Sequence, residues 1–168
     1  MDIHPSVMIV DDDIGALTLI GIMLERADYE VIKARDVDSC LDMLEVCAPD
    51  ILITDTMMPG KSGIDLIRAV RRLPQHTNLP IIQLTSRGDA ESLIAGLEAG
   101  ANDYLLKPIL RDDLVKKVDA VLEKCCPEIF PSDCALILHG KYPDVDYFTQ
   151  LCRAVAARVD RVRVALAA

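Results

Sequence analysis

The run Ile51-Leu52-Ile53-Thr54, stopping at the carboxylate of Asp55, limits this chain more than any other stretch. Pro49-Asp50 precedes it, Pro59-Gly60 follows it, and a helical pattern opens near Ser62. A short apolar run between turn signals is the pattern of a central parallel strand. In open α/β sheets, ligands gather beyond the carboxyl ends of such strands. An acid one step past the strand therefore stands where reacting groups belong. A lone strand-end aspartate is more often a solvated loop residue. The other strands decide the matter here, because they end in matching groups.

Val7 to Val10 is a short apolar strand followed at once by Asp11-Asp12-Asp13. A helix then runs from Ile14 to Arg26, with Ile14, Leu17, Gly21 and Leu24 as its apolar stripe and Asp13 as its cap. Tyr29 to Ala34 reads as a second strand. Asp36 to Ala48 reads as a second helix, with Val37, Cys40, Leu41, Leu44 and Cys47 inward. After the strand at 51–54, a third helix from Ser62 to Leu73 is expected to bury Ile64, Ile67 and Val70. Pro74 closes it, and a polar loop leads to Pro80. Ile81 to Leu84 is the fourth strand, ending at Thr85-Ser86. A helix from Asp89 to Ala99 follows, with Gly100 as a left-handed C-cap. Asp103 to Leu106 is the fifth strand, ending at Lys107-Pro108. A last helix covers Arg111 to Lys124, with Leu114, Val118, Val121 and Leu122 on one face.

Strands alternating with helices through short loops give a parallel sheet covered on both faces. Right-handed crossovers leave few topologies. The most economical is a flavodoxin-like (βα)5 doubly wound α/β fold of strand order 2-1-3-4-5. In that order Asp11, Asp12, Asp55, Thr85 and Lys107 converge on one rim. Three neighbouring carboxylates cannot all stay ionised without a cation, and Mg2+ suits carboxylates combined with phosphate oxygens. A hydroxyl and an ammonium are the donors that a phosphoryl group needs on its other oxygens. The set therefore reads as a site where Asp55 accepts a phosphoryl group and Lys107 pairs with the developing charge.

The chain resembles the receiver domain of response regulators in two-component systems. The resemblance rests on Met8-Ile-Val-Asp-Asp-Asp13, Pro49-Asp-Ile-Leu-Ile-Thr-Asp-Thr-Met-Met-Pro-Gly60, Pro80-Ile-Ile-Gln-Leu-Thr-Ser86 and Gly100-Ala-Asn-Asp-Tyr-Leu-Leu-Lys-Pro108. These pieces keep the family's order and spacing. The resemblance implies that Asp55 is the phosphoacceptor, supplied by a histidine kinase or a phosphotransfer protein. It implies that Asp12 binds Mg2+ directly, that Asp11 does so through water, and that the main-chain carbonyl of Met57 is a further ligand. Thr85 becomes the switch hydroxyl, Tyr104 the aromatic switch residue, and Lys107-Pro108 a cis peptide. Met57 and Arg87 flank the site and should tune the lifetime of the phosphoryl group. A receiver homodimer, an attached output domain or a separate protein would read the face made by the fourth helix, fifth strand and fifth helix.

The competing readings are a phosphatase of the haloacid dehalogenase type and an interaction module that is never phosphorylated. The first needs an acid two residues after its nucleophile, and Met57 stands there. The acidic set with Lys107 argues against the second. No turnover of an external substrate is expected, only the protein's own phosphorylation and dephosphorylation. Gln83 places an amide inside an otherwise apolar strand and needs a partner if buried.

The net charge is −9 over 168 residues. Acidic and basic side chains balance over residues 125–168, so the excess lies in residues 1–124. An acidic domain repels phosphate backbones, so direct nucleic-acid binding by residues 1–124 is not expected. No apolar run is long enough to span a bilayer, and the start Met-Asp-Ile-His-Pro lacks a signal-peptide pattern. The cysteines at 40, 47, 125, 126, 134 and 152 form no C-x-x-C pair or zinc spacing. Buried free thiols in a reducing cytoplasm are the expectation. The division is a receiver at 1–124, a linker at 125–133, and a strand–helix–strand extension or truncated start of an output domain at 134–168. That last unit cannot bury both faces alone.

Overall fold

A computed structural model describes residues 4–86 and 90–125. Its sheet strands are β1 (Ser6–Val10), β2 (Glu30–Ala34), β3 (Ile51–Asp55), β4 (Ile81–Ser86) and β5 (Asp103–Lys107). Helices α1 (Ile14–Glu25), α2 (Val37–Val46), α3 (Gly63–Arg72), α4 (Ala90–Ala99) and α5 (Arg111–Cys125) follow the strands in turn. All pairings are parallel, and the order is β2-β1-β3-β4-β5. Both the expected order and the expected alternation hold. The extension proposed for residues 134–168, the linker from residue 126 on, Arg87 and the start of the fourth helix at Asp89 lie outside the described residues.

Alternation along the central strands divides the core into two layers. Val7, Ile9, Ile51, Ile53, Ile82 and Leu84 face one side, against Leu17, Ile20 and Leu24 of α1 and Leu114, Val118 and Leu122 of α5. Met8, Val10, Leu52 and Ile81 face the other, against Val37, Cys40 and Leu44 of α2 and Leu66, Ile67 and Val70 of α3. α4 packs beside α3. β1 and β3 are buried over their whole length, and seven of their ten residues are apolar.

Helix starts are fixed by side chains. Asp13 Oδ1 accepts from the Gly15 and Ala16 amides, and Asp36 Oδ1 accepts from the Ser39 amide. Ser62 and Asp65 form a reciprocal capping box at α3. Asp36 is thus a cap, and α2 begins one residue later than expected. Gly100 ends α4 with φ +115°.

Several packing expectations need correction. Ile14 is 58 % exposed, while Ile20 is buried in its place. Ile14 is the first residue of α1, where no preceding turn holds it, and it sits at the flank of the stripe Leu17, Ile20, Gly21, Leu24. Ile64 is only half-buried; the buried face of α3 is Gly63, Leu66, Ile67 and Val70. Leu41, in the middle of α2, and Cys47, at its C-cap, are also half-buried. The segment after Pro74 is a 3-10 turn, Pro74–His76, rather than a polar loop. His76 is buried there, with Nε2 2.8 Å from the carbonyl of Leu44, and Leu79 is buried beside it. Among the described cysteines, Cys40 is a buried free thiol whose pKa burial pushes up to about 12; Cys125 is exposed, against expectation.

Candidate functional site

β1 and β3 are neighbours in register, so their carboxyl ends bring Asp11 and Asp55 together. Asp11 is 1 % exposed and Asp55 6 % exposed, while Asp12 is open to solvent. One carboxylate oxygen from each of the three lies within 4.8 Å of the others. Asp11 Oδ1 accepts from the amide of Asp13 at 2.9 Å, which fixes the first carboxylate. Asp55 Oδ2 accepts from the amide of Met57 at 3.0 Å. The Met57 side chain itself is exposed.

Lys107 comes from the far side of β4. Its stem crosses the rim, so that Nζ lies 2.6 Å from Asp55 Oδ1 and 3.2 Å from Asp11 Oδ2. The peptide after it, Lys107–Pro108, is cis as expected. Burial raises the pKa of Asp55; Lys107 opposes that rise, and the nearby Asp11 adds to it. Burial works against the Lys107 ammonium, but the two carboxylates outweigh it and hold its pKa above the ordinary lysine range. One ammonium therefore does not satisfy the negative charge gathered here. The donor set is all oxygen and includes three carboxylates, which fits a small hard divalent cation such as Mg2+ and not a thiophilic metal.

Thr85 follows the β4 residue paired with Asp55, Leu84. It is buried, and its Oγ1 has no hydrogen-bond partner among the described residues. Tyr104 is not brought to the carboxylates. It is half-buried on edge strand β5, opposite Gln83, with the Lys117 ammonium 5.8 Å from its ring centroid.

Two further residues shape the site. Gly63 opens α3 so close to the acceptor strand that a Cβ there would fall 1.9 Å from the Asp55 carbonyl oxygen. Thr56 anchors the loop after Asp55: its amide and its Oγ1 both donate to the carbonyl of Leu84, at 3.0 and 2.5 Å. The signal for Gly63 was its place just inside a Ser-capped helix. Thr56 carried no signal, because a threonine in a loop has many ordinary uses.

A doubly wound parallel sheet with a lysine-bridged acidic rim defines a class of phosphoryl-handling α/β domains. The sequence model of the response regulator receiver domain matches residues 7–119, and the chain belongs to that family. The phosphate regulon transcriptional regulatory protein PhoB of Escherichia coli K12 is 33 % identical over 121 residues, covering 72 % of this chain and 53 % of PhoB. The transcriptional regulatory protein CpxR of the same organism is 40 % identical over 119 residues, covering 71 % of this chain and 50 % of CpxR. The chain thus spans about half the length of the curated relatives it matches. The chemotaxis response regulator CheY4 of Vibrio cholerae superposes with a TM-score of 0.68 at 32 % identity, covering 71 % of this chain and all of that one (100 %). No helix among the described residues is long and apolar enough to cross a membrane.

Proposed function

We propose that Asp55 is the phosphoacceptor of this receiver. An Asp55 carboxylate oxygen attacks the phosphorus of a phosphohistidine on a sensor kinase or phosphotransfer protein. The P–N bond breaks, the imidazole takes up a proton, and an acyl phosphate forms on Asp55. The observation that carries this reading is the Lys107 ammonium placed between Asp55 and Asp11. There it orients the nucleophile and can follow the charge onto the phosphoryl oxygens. Asp11, Asp12, Asp55 and the main-chain carbonyl of Met57 would hold Mg2+, which when bound supplies positive charge to the phosphoryl oxygens.

Thr85, whose hydroxyl has no hydrogen-bond partner among the described residues, is the switch residue that turns toward the phosphoryl group, and Tyr104 moves with it. The response is read on α4, β5 and α5, where Ile94, Leu97, Leu106 and Leu110 are exposed. A second receiver, an output domain or a separate protein covers that face. Residues 1–124 are the switching unit, residues 125–133 the linker and residues 134–168 an extension or the start of an output domain. The protein works in the cytoplasm and turns over no external substrate. The phosphatase reading lacks its second acid, since Met57 stands there with its side chain in solvent.

Incubation with acetyl phosphate and Mg2+, followed by intact mass, tests the proposal. The parent gains one phosphoryl group and Asp55→Asn gains none. Equal gain in both, or none in the parent, overturns it.

A further inference from the structure

Gln83 is fully buried in β4, two positions before Thr85 on the same face. Its Nε2 donates to Thr56 Oγ1 at 2.9 Å and to the main-chain carbonyl of Ser92 in α4 at 2.9 Å. The direction of these bonds is fixed by chemistry. The Ser92 carbonyl can only accept, and the Thr56 hydroxyl has already given its proton to Leu84. The amide therefore joins three elements: the strand of the switch hydroxyl, the residue directly after Asp55, and α4.

The helix has made room for it. A Cβ on Gly96 would fall 1.8 Å from Gln83 Oε1. Gly96 is the one buried residue of Ala90–Ala99, and glycine weakens a helix interior. The helix accepts that weakness at the one position where the amide must enter. Gln83 Oε1 has no partner among the described residues, and the bonds of Nε2 run to Thr56 and α4.

We infer that Gln83 is a positioning residue that ties α4 to the acceptor loop and opposes the switched arrangement. The inference rests on the receiver reading above. Thr85 lies two residues along β4 from Gln83, so its turn onto a phosphoryl group would pull on the strand that carries the amide. The amide resists, because its two acceptors sit on different elements. An interaction made only in the resting arrangement lowers the affinity for anything that selects the other one.

The test uses the full chain, Gln83→Met, which keeps length and bulk without donors, and Thr56→Val, which removes the partner hydroxyl. Amide hydrogen exchange is followed over residues 90–99, with α2 as internal reference. Beryllofluoride with Mg2+ is the phosphoryl mimic. Leu24→Ala, a truncation in α1, controls for general destabilisation. Either tie variant should speed exchange in α4 about fivefold over α2, the equivalent of one lost hydrogen bond. The mimic should half-saturate at about fivefold lower concentration. Leu24→Ala should give neither the α4-selective change nor the tighter response. If the parent responds to the mimic and both tie variants match it in α4 exchange and half-saturation, the inference is overturned and the receiver reading stands. If the parent gains no phosphoryl group while α4 exchange rises selectively in the variants, the tie stands and the receiver reading falls.

Discussion

Lys107 shows how much one side chain decides at this rim. It holds two carboxylates from two other strands, and 32 % of it remains in water. Lys107→Met should therefore destabilise the fold at neutral pH by about 1–2 kcal/mol, less than for a fully buried pair. Urea denaturation across pH checks this. The parent's advantage should fade as pH falls through the carboxylate range, because protonated Asp55 no longer needs the ammonium. The fading should begin above the ordinary aspartate value, since Asp55 is shifted upward. On the alkaline side the advantage is lost as pH rises through the raised lysine value. A constant difference across pH would refute the assignment. The residues of this rim were legible in sequence because charge at a strand end is a strong signal. Gln83 was legible only as an anomaly. Its partners lie on two other elements, and neither a loop threonine nor a helical glycine announces such a role.

At the level of elements, joints matter more than periodicity. Arg71, in the last turn of α3, gathers the loops around it. Its Nε and Nη2 donate to the carbonyl of Gly100 at 3.0 and 2.7 Å, and its Nη1 donates to those of Leu79 at 2.7 Å and Thr77 at 3.2 Å. Nη2 also reaches Asn102 Oδ1 at 2.9 Å. One planar fork thus ties the end of α3 to the turns before β4 and β5. Arg71→Ala should cost about 2 kcal/mol in chemical denaturation, and Arg71→Lys should recover little, because an ammonium cannot reach these acceptors together. Full recovery by lysine would mean that charge alone was at work. The strands and helices themselves were legible from apolar pattern, caps and prolines. Much of what the pattern missed sits at element ends, such as Ile14 at a helix start and His76 in a turn that looked merely polar, although Leu41 was misplaced in the middle of α2. A period describes the middle of a helix and is silent about its margins.

For the whole molecule, the acidic rim couples stability to its ionic surroundings. A cation bound only by the folded state adds stability as its concentration rises, by about 2.7 kcal/mol at a hundredfold excess over its dissociation constant. Mg2+ should therefore raise the thermal midpoint of the parent and leave that of Asp12→Asn almost unchanged. An equal rise in both would place the bound cation elsewhere. The fold that carries this rim consists of two apolar layers that share no buried residue, divided by a sheet only one strand thick. Each layer can thus drift on its own. A compensating change for a substitution under α1 should be sought under α1 or α5, never under α2 or α3. A hybrid that takes one whole layer from a relative should fold more readily than one that mixes single positions from both.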